Sequence, residues 1–242
     1  CRELRDAEIP KPGDGEILVK VRAAAICGTD VHIRSFNEWS ARRMKPPVTI
    51  GHEFCGEAVE LGKNVRGIKP GDTVVPESHL PCGVCSDCRV GNRHVCRHTG
   101  LLGVTRDGGF AEYVSLPADI VYVADKSVSY KTLAILEPFG QAVHAVMDFP
   151  VAGKTVAIVG CGPIGVMSVM VARRAGAMKI IAVEPNAARG AQALQYGADT
   201  LIDPLAADPV DAVLELTGGV GADSAIDMSG SVAAAEQAAR YL

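Results

Sequence analysis

Residues 155–165 read TVAIVGCGPIG, and no other stretch restricts the fold of this chain as tightly. The run 155–159 is apolar after Thr155 and β-branched at every position but Ala157, the pattern of a strand covered on both faces. It leads into Gly160-x-Gly162-x-x-Gly165 and then into IGVMSVMVARRAG, whose spacing predicts a helix ending on Gly176. A strand, a glycine turn and a helix call for a second strand parallel to the first, and KIIAVE at 179–184 supplies it. The alternation continues with a helix over 187–197, strands at 199–203 and 224–230, and a closing helix over 231–242. This half is therefore read as α/β, a doubly wound parallel sheet of Rossmann type.

The glycines make chemical sense in that context. Gly160 permits a tight turn, Gly162 lets backbone approach a pyrophosphate, and Gly165 lets helix and strand pack closely. Pro163 and Ile164 complete the turn, and the helix start turns N–H groups toward a phosphate. Glu184 ends the second strand, where a carboxylate can accept from the adenosine ribose hydroxyls and repel a 2′-phosphate. NAD is thus expected over NADP. Arg189 follows and is either a contact near the adenosine end or a solvated charge.

Residues 1 to about 125 have a different grammar. Short β-type runs (EILVKVRA, EAVELG, DTVVPE, FAEYVSL) are separated by turn signals such as KPGD. That pattern predicts a partly open β-barrel. Residues 131–152 read as a helical junction, which gives domains at 1–130 and 153–242. The net charge of −4, with no basic stripe, argues against nucleic acid as the partner. No apolar run approaches the roughly 18 residues of a membrane span.

Of eight cysteines, Cys82, Cys85, Cys88 and Cys96 follow C-x2-C-x2-C-x7-C. Four thiolates so spaced suit a closed, tetrahedral structural zinc; an iron–sulfur cluster also uses four Cys, but nothing else here suggests electron transfer. Such ligands need a reducing compartment, so the cytoplasm is expected. Cys27 and His52 lie on separate segments, with Glu53 beside His52 and Glu137 before the second domain. Ligands scattered in this way are typical of an open, catalytic metal site.

These residues resemble the zinc-containing medium-chain alcohol dehydrogenase superfamily. Gly51-His52-Glu53-x2-Gly56-x5-Gly62-x2-Val65 matches its zinc signature without a gap, and CGTDVH, GGFAEYV, EPFGQAVH and GCGPIG follow in its order. CGTDVHIRSFNEWS, PPVTIGHEF and ESHLPCGVC are similar to its L-threonine 3-dehydrogenase branch. The resemblance implies a GroES-like catalytic domain joined to a Rossmann domain. It implies two zinc ions per chain, with Cys27, His52 and Glu137 as ligands of the catalytic one and Glu53 able to exchange in. It implies a proton relay through Thr29 and His32, and an active-site role for His79.

The expected activity is zinc-dependent oxidation of a small secondary alcohol by NAD, with L-threonine favoured over sorbitol or 2,3-butanediol. A catalytically silent protein that binds zinc and dinucleotide is the alternative of another class. The family implies a homo-oligomer, a tetramer. It also has six strands in its dinucleotide domain where four are read here, and the chain opens on Cys1, so the sequence is expected to be part of a longer one.

Overall fold

The structure, a computed structural model, describes residues 3–242; Cys1 lies outside them. It comprises two compact units, which divide between Glu137 and Pro138.

In the first unit the strands are β1 (Glu16–Ala25), β2 (Glu53–Leu61), β3 (Thr73–Pro76), β4 (His79–Leu80), β5 (Gly100–Leu101), β6 (Tyr113–Pro117) and β7 (Val121–Val123). Alternation in β1 sets its inner face. Ile17 and Val19 are fully buried among Phe54, Ala58, Val74, Val114 and Leu116. Each such side chain contributes about 1.5–3 kcal/mol by leaving water. Five strands form one antiparallel sheet in the order β6-β1-β2-β3-β7. The β1–β2 register shifts at Leu18/Val19 and again at Val21/Ala23. Bulges of this kind bend a sheet and raise its twist, the curvature a partly open barrel needs. Helices α1 (Gly28–Ser35) and α2 (Glu38–Arg43) fill the connection from β1 to β2, a stretch the sequence reading left without elements. The short helix α3 (Ser86–Arg89) belongs to a cysteine lobe that β4 and β5 close at its base, with His79 opposite Leu101. Helix α4 (Tyr130–Leu133) precedes α5 (Leu136–Met147).

The second unit alternates strictly: β8 (Thr155–Val159), α6 (Pro163–Arg174), β9 (Lys179–Val183), α7 (Ala187–Gln195), β10 (Thr200–Ile202), α8 (Pro209–Leu216), β11 (Ser224–Asp227) and α9 (Val232–Ala238). The parallel sheet runs β10-β9-β8-β11, with the reversal of strand order falling between β8 and β11. All five residues of β8 are buried. One cluster, with Val156, Ile158 and Ile180, covers one face; another, with Ala157, Val159 and Ile181, covers the other. Helix α8 corrects the sequence reading, which passed from the third strand to the fourth without a helix. Among the described residues no helix is long and apolar enough to cross a membrane.

Ile158 is wholly buried in the center of this sheet. Ile158→Ala should cost about 2–5 kcal/mol, as truncations of buried aliphatic side chains do. Thermal or urea unfolding checks this; a loss below about 1 kcal/mol would mean that β8 is not the sheet's central, doubly covered strand.

Candidate functional site

Cys27 and His52 are 25 residues apart in sequence, and the β1–β2 ladder brings them together. Ala25 pairs with Glu53, so the chain leaving β1 reaches Cys27 at the same end of the sheet where His52 enters β2. Gly51 makes that entry possible: its φ is +94°, and a Cβ there would lie 2.5 Å from the Phe110 ring. Cys27 caps α1. Its Sγ accepts from the Thr29 N–H at 3.4 Å, and Asp30 Oδ2 accepts from the Cys27 N–H at 2.8 Å.

Ligand atoms of Cys27, His52 and Glu53 all lie within 4.8 Å of one another. His52 and Glu53 are buried. His52 Nδ1 is buried with no hydrogen-bond partner, and so is Asp30 Oδ1. Burial raises the Cys27 thiol above its ordinary value, against donors from Thr29 and with the charge of Glu53 adding to the rise. Burial also raises the Glu53 carboxyl, opposed by a hydrogen bond with Cys27 and reinforced by the charge of Glu137. A half-buried soft thiol beside a buried imidazole and a buried carboxylate fits a zinc ion in donor type and proximity.

Glu137 stands outside that triangle. Its Oε1 accepts from Ser78 Oγ at 2.7 Å, although its charge reaches Glu53. The sequence-derived grouping of Glu137 with Cys27 and His52 is therefore met only as proximity. His79 sits beyond Ser78, its Nδ1 2.6 Å from Glu77 Oε1 and its N–H donating to Glu77 Oε2 at 3.0 Å. The hydrogen bond that the imidazole donates to Glu77 raises His79. Burial works to raise Glu77 as well, but the His79 contacts outweigh it and leave the carboxyl lowered. Glu77 and Ser78 were not singled out from sequence. Their signal was only their place flanking a candidate histidine.

Thr29 and His32 come together with Asn37 and Trp39 around a 370 Å³ cavity. Trp39 also packs on the cluster of Ile33, Met44 and Val104 and lies under Arg43, 4.9 Å from its ring center.

The second thiol set is assembled as read. Sγ atoms of Cys82, Cys85, Cys88 and Cys96 lie within 4.8 Å of one another. Cys96 Sγ accepts from the N–H groups of Cys82 and His98 at 3.3 and 3.4 Å. The Cys88 N–H, first among several donors, pulls Cys85 down to about 6, and that of Cys82 lowers Cys96. Burial and the neighboring thiols push Cys88 up to about 12. Thiols that cannot all ionize alone can do so around a divalent cation, and this donor set fits a closed zinc site.

In the second unit the ends of β8 and β9 meet in register, Val159 opposite Val183, which sets the glycine turn beside Glu184. A Cβ on Gly165 would lie 1.9 Å from Gly160 O, so helix and turn pack too closely for any other residue. A Cβ on Gly162 would meet nothing within 4 Å. That open space, at a helix start with no side-chain cap and with Pro163 at its first position, fits a phosphate. Ile164 follows in the first turn. Glu184 is only 4% exposed, and both of its oxygens already accept from backbone: Oε2 from the Cys161 N–H at 2.7 Å, Oε1 from the Asn186 N–H at 2.8 Å. A ribose would share this carboxylate with the glycine turn, a structural duty the sequence reading did not include. Arg189 is exposed on the first turn of α7, and its N–H donates to Asn186 Oδ1. Cys161 is buried, and burial with the charge of Glu184 pushes its thiol up to about 12.

The alcohol dehydrogenase GroES-like domain model matches residues 13–126, and the zinc-binding dehydrogenase model matches residues 163–242. L-threonine 3-dehydrogenase of Caldanaerobacter subterraneus subsp. tengcongensis is 48% identical over 235 residues, 97% of this chain and 68% of that protein. The enzyme of the same name from Pyrococcus horikoshii is 45% identical over 235 residues, again 97% and 68% of the two chains. Among solved structures, a Sinorhizobium meliloti protein described as a zinc-binding dehydrogenase, with NADP bound, superposes with a TM-score of 0.90 at 37% identity, covering 98% of this chain and 69% of that one. Galactitol-1-phosphate dehydrogenase of Escherichia coli superposes with a TM-score of 0.88 at 25% identity, covering 98% and 68%. The chain belongs to the zinc alcohol dehydrogenase superfamily.

Two outcomes follow from the geometry. Glu184→Gln keeps one acceptor and turns an amide NH2 toward the other N–H, so it should lower stability by about 1–3 kcal/mol even without cofactor. An unchanged Tm would show that the carboxylate does not hold the turn. Glu77→Gln should bring the His79 midpoint, followed by NMR, down toward 6.5. His79 is raised, so its share of the pair's stabilization is complete below 6.5 and is lost as pH rises through the folded value. Glu77 is lowered, so its share is present above 4.5 and is lost as pH falls through the folded value. The contribution is therefore greatest between those two pH values, and a His79 midpoint indifferent to Glu77→Gln contradicts the pairing.

Proposed function

We propose that this chain is an NAD-dependent zinc dehydrogenase that oxidizes L-threonine at its β-hydroxyl to L-2-amino-3-oxobutanoate. The observation that carries the reading is the cluster of Cys27, His52 and Glu53, whose ligand atoms all lie within 4.8 Å of one another. The names of the relatives support threonine as substrate. When bound, zinc supplies a Lewis acid that acidifies an alcohol, and NAD supplies a two-electron hydride acceptor.

The remaining work falls to side chains. Cys27 and His52 hold the metal, with Glu53 as the third donor and Glu137 near enough to exchange with it. Thr29, whose N–H donates to Cys27 Sγ, has the hydroxyl that would take up the substrate's hydroxyl proton and pass it toward His32. An imidazole suits the end of such a relay because it gains and loses protons near neutrality. This relay would account for the proton the alcohol must lose on its way to a ketone, and a dinucleotide held at the glycine turn would supply the acceptor for the accompanying hydride. Whichever of Glu53 and Glu137 is not bound to the metal would offer negative charge to the substrate's ammonium. His79, raised by Glu77, offers positive charge to its carboxylate. Gly160, Gly162, Pro163, Ile164 and Gly165 hold the pyrophosphate. Glu184 receives the ribose, with Arg189 beside it. A buried carboxylate at that point supports NAD over NADP, although a structural neighbor holds NADP.

Elemental analysis should find two zinc ions per chain, falling to one in Cys85→Ser with a loss of stability. One zinc in the parent protein, with turnover surviving Cys27→Ser, overturns the catalytic-zinc reading. A screen of L-threonine, sorbitol, 2,3-butanediol and ethanol should give L-threonine the highest kcat/KM, by roughly 10⁴-fold over analogs lacking its charged groups. His79→Ala should narrow that preference without changing zinc content. The likeness to galactitol-1-phosphate dehydrogenase makes polyols the competing substrates, and a preference for sorbitol or butanediol discards threonine.

A further inference from the structure

The side chain of Asn37 makes two contacts whose combination determines the protonation of its neighbor. Its Oδ1 caps α2, accepting from the Ser40 N–H at 3.1 Å and from the Ser40 hydroxyl at 3.0 Å. Ser40 is fully buried, so this end of the amide is anchored. With the oxygen turned to α2, the atom 3.2 Å from His32 Nδ1 is the amide nitrogen, Nδ2. An amide nitrogen donates and does not accept. Nδ1 must therefore present its lone pair, and a neutral imidazole so placed carries its proton on Nε2. Both residues line the same cavity as Thr29.

We propose that Asn37 is a positioning residue for His32, holding its imidazole in the Nε2–H form with Nδ1 as the ring's proton acceptor. The consequence for proton transfer rests on the relay reading above; the tautomer rests on geometry alone. In that relay one proton enters at Nδ1, displacing the Asn37 amide, and one leaves from Nε2 to water. The ring is then left in the Nδ1–H form, which sets two donors against each other. Exchange with water returns the proton to Nε2, and the Asn37 amide favors that return. Asn37 thus resets the acceptor after each turnover.

The test is the tautomer itself, read on the intact chain with 15N-labeled histidine by long-range proton–nitrogen correlation. Spectra are taken at rising pH, and the tautomer ratio is read where it no longer changes. His32→Gln identifies the His32 signals by their loss. The parent protein should show His32 predominantly as Nε2–H. Asn37→Asp is the informative variant. Asp ranks with Asn as a helix N-cap, so α2 and Tm should be retained. It also places an acceptor where the donor was, and His32 should invert to the Nδ1–H form. Asn37→Ser keeps a cap and removes the donor, and should give a mixture. A parent His32 already in the Nδ1–H form, or a tautomer ratio identical in the parent, Asn37→Asp and Asn37→Ser, overturns the proposal. The turnover of His32→Gln tests the relay separately: full turnover there removes the relay and leaves the assignment of Asn37 to the tautomer data.

Discussion

The antiparallel register that pairs Ala25 with Glu53 is the constraint on which the metal centre depends. Neither Cys27 nor His52 is near the other in sequence, and each is placed by the strand it borders. Side chains on a strand alternate between faces, so a slip of one residue would turn every side chain of β2 to the opposite face and carry Glu53 away from Cys27. What holds the register is the inner face of the sheet, Ile17 and Val19 against Phe54 and Ala58, together with the two bulges. The proposed metal ligands are thus set by apolar packing some distance from them. The proposed ligand cluster is the opposite of self-stabilizing: a half-buried thiol and a buried carboxyl, both raised by burial, and a buried imidazole nitrogen without a partner. Burying polar groups in that state costs stability, and the arrangement becomes reasonable once a cation completes it.

The second unit solves a similar problem with a parallel sheet. Register between β8 and β9 sets the glycine turn against Glu184, and the carboxylate bonds across to the turn's own N–H. In the proposed function, ligand recognition and turn geometry share this one side chain. That sharing explains why a residue available to a ribose is also 4% exposed and fully engaged with backbone. In the first unit Asn37 is shared in the same sense, between a helix cap and an imidazole.

Local signals were legible in the sequence, and long-range ones much less so. The glycine fingerprint could be placed because strand, turn and helix are contiguous. The four-cysteine lobe could be placed because its ligands span fifteen residues. The grouping of Cys27 with His52 rested on ligand type and on family resemblance, since no local pattern encodes the β1–β2 register. Helix α8 was missed although its start carries a signal: Asp208 caps it by accepting from the Val210 and Asp211 N–H groups, with Pro209 at the first position. Its eight residues are short enough for that signal to pass as a turn. The Ser78 contact of Glu137 and the Glu77–His79 pair depend on rotamers, which no spacing rule describes.

The central claim is that Cys27, His52 and Glu53 form a mixed-donor zinc site distinct from the all-thiolate lobe. Zinc K-edge X-ray absorption tests it most directly, because sulfur neighbors at about 2.3 Å separate cleanly from nitrogen and oxygen at about 2.0–2.2 Å. With both sites filled, the account predicts ~2.5 sulfur neighbors per zinc, the remainder being nitrogen and oxygen, and a drop in the sulfur share when Cys27 becomes Ser. A first shell of four sulfurs and nothing else, unmoved by that substitution, would contradict it.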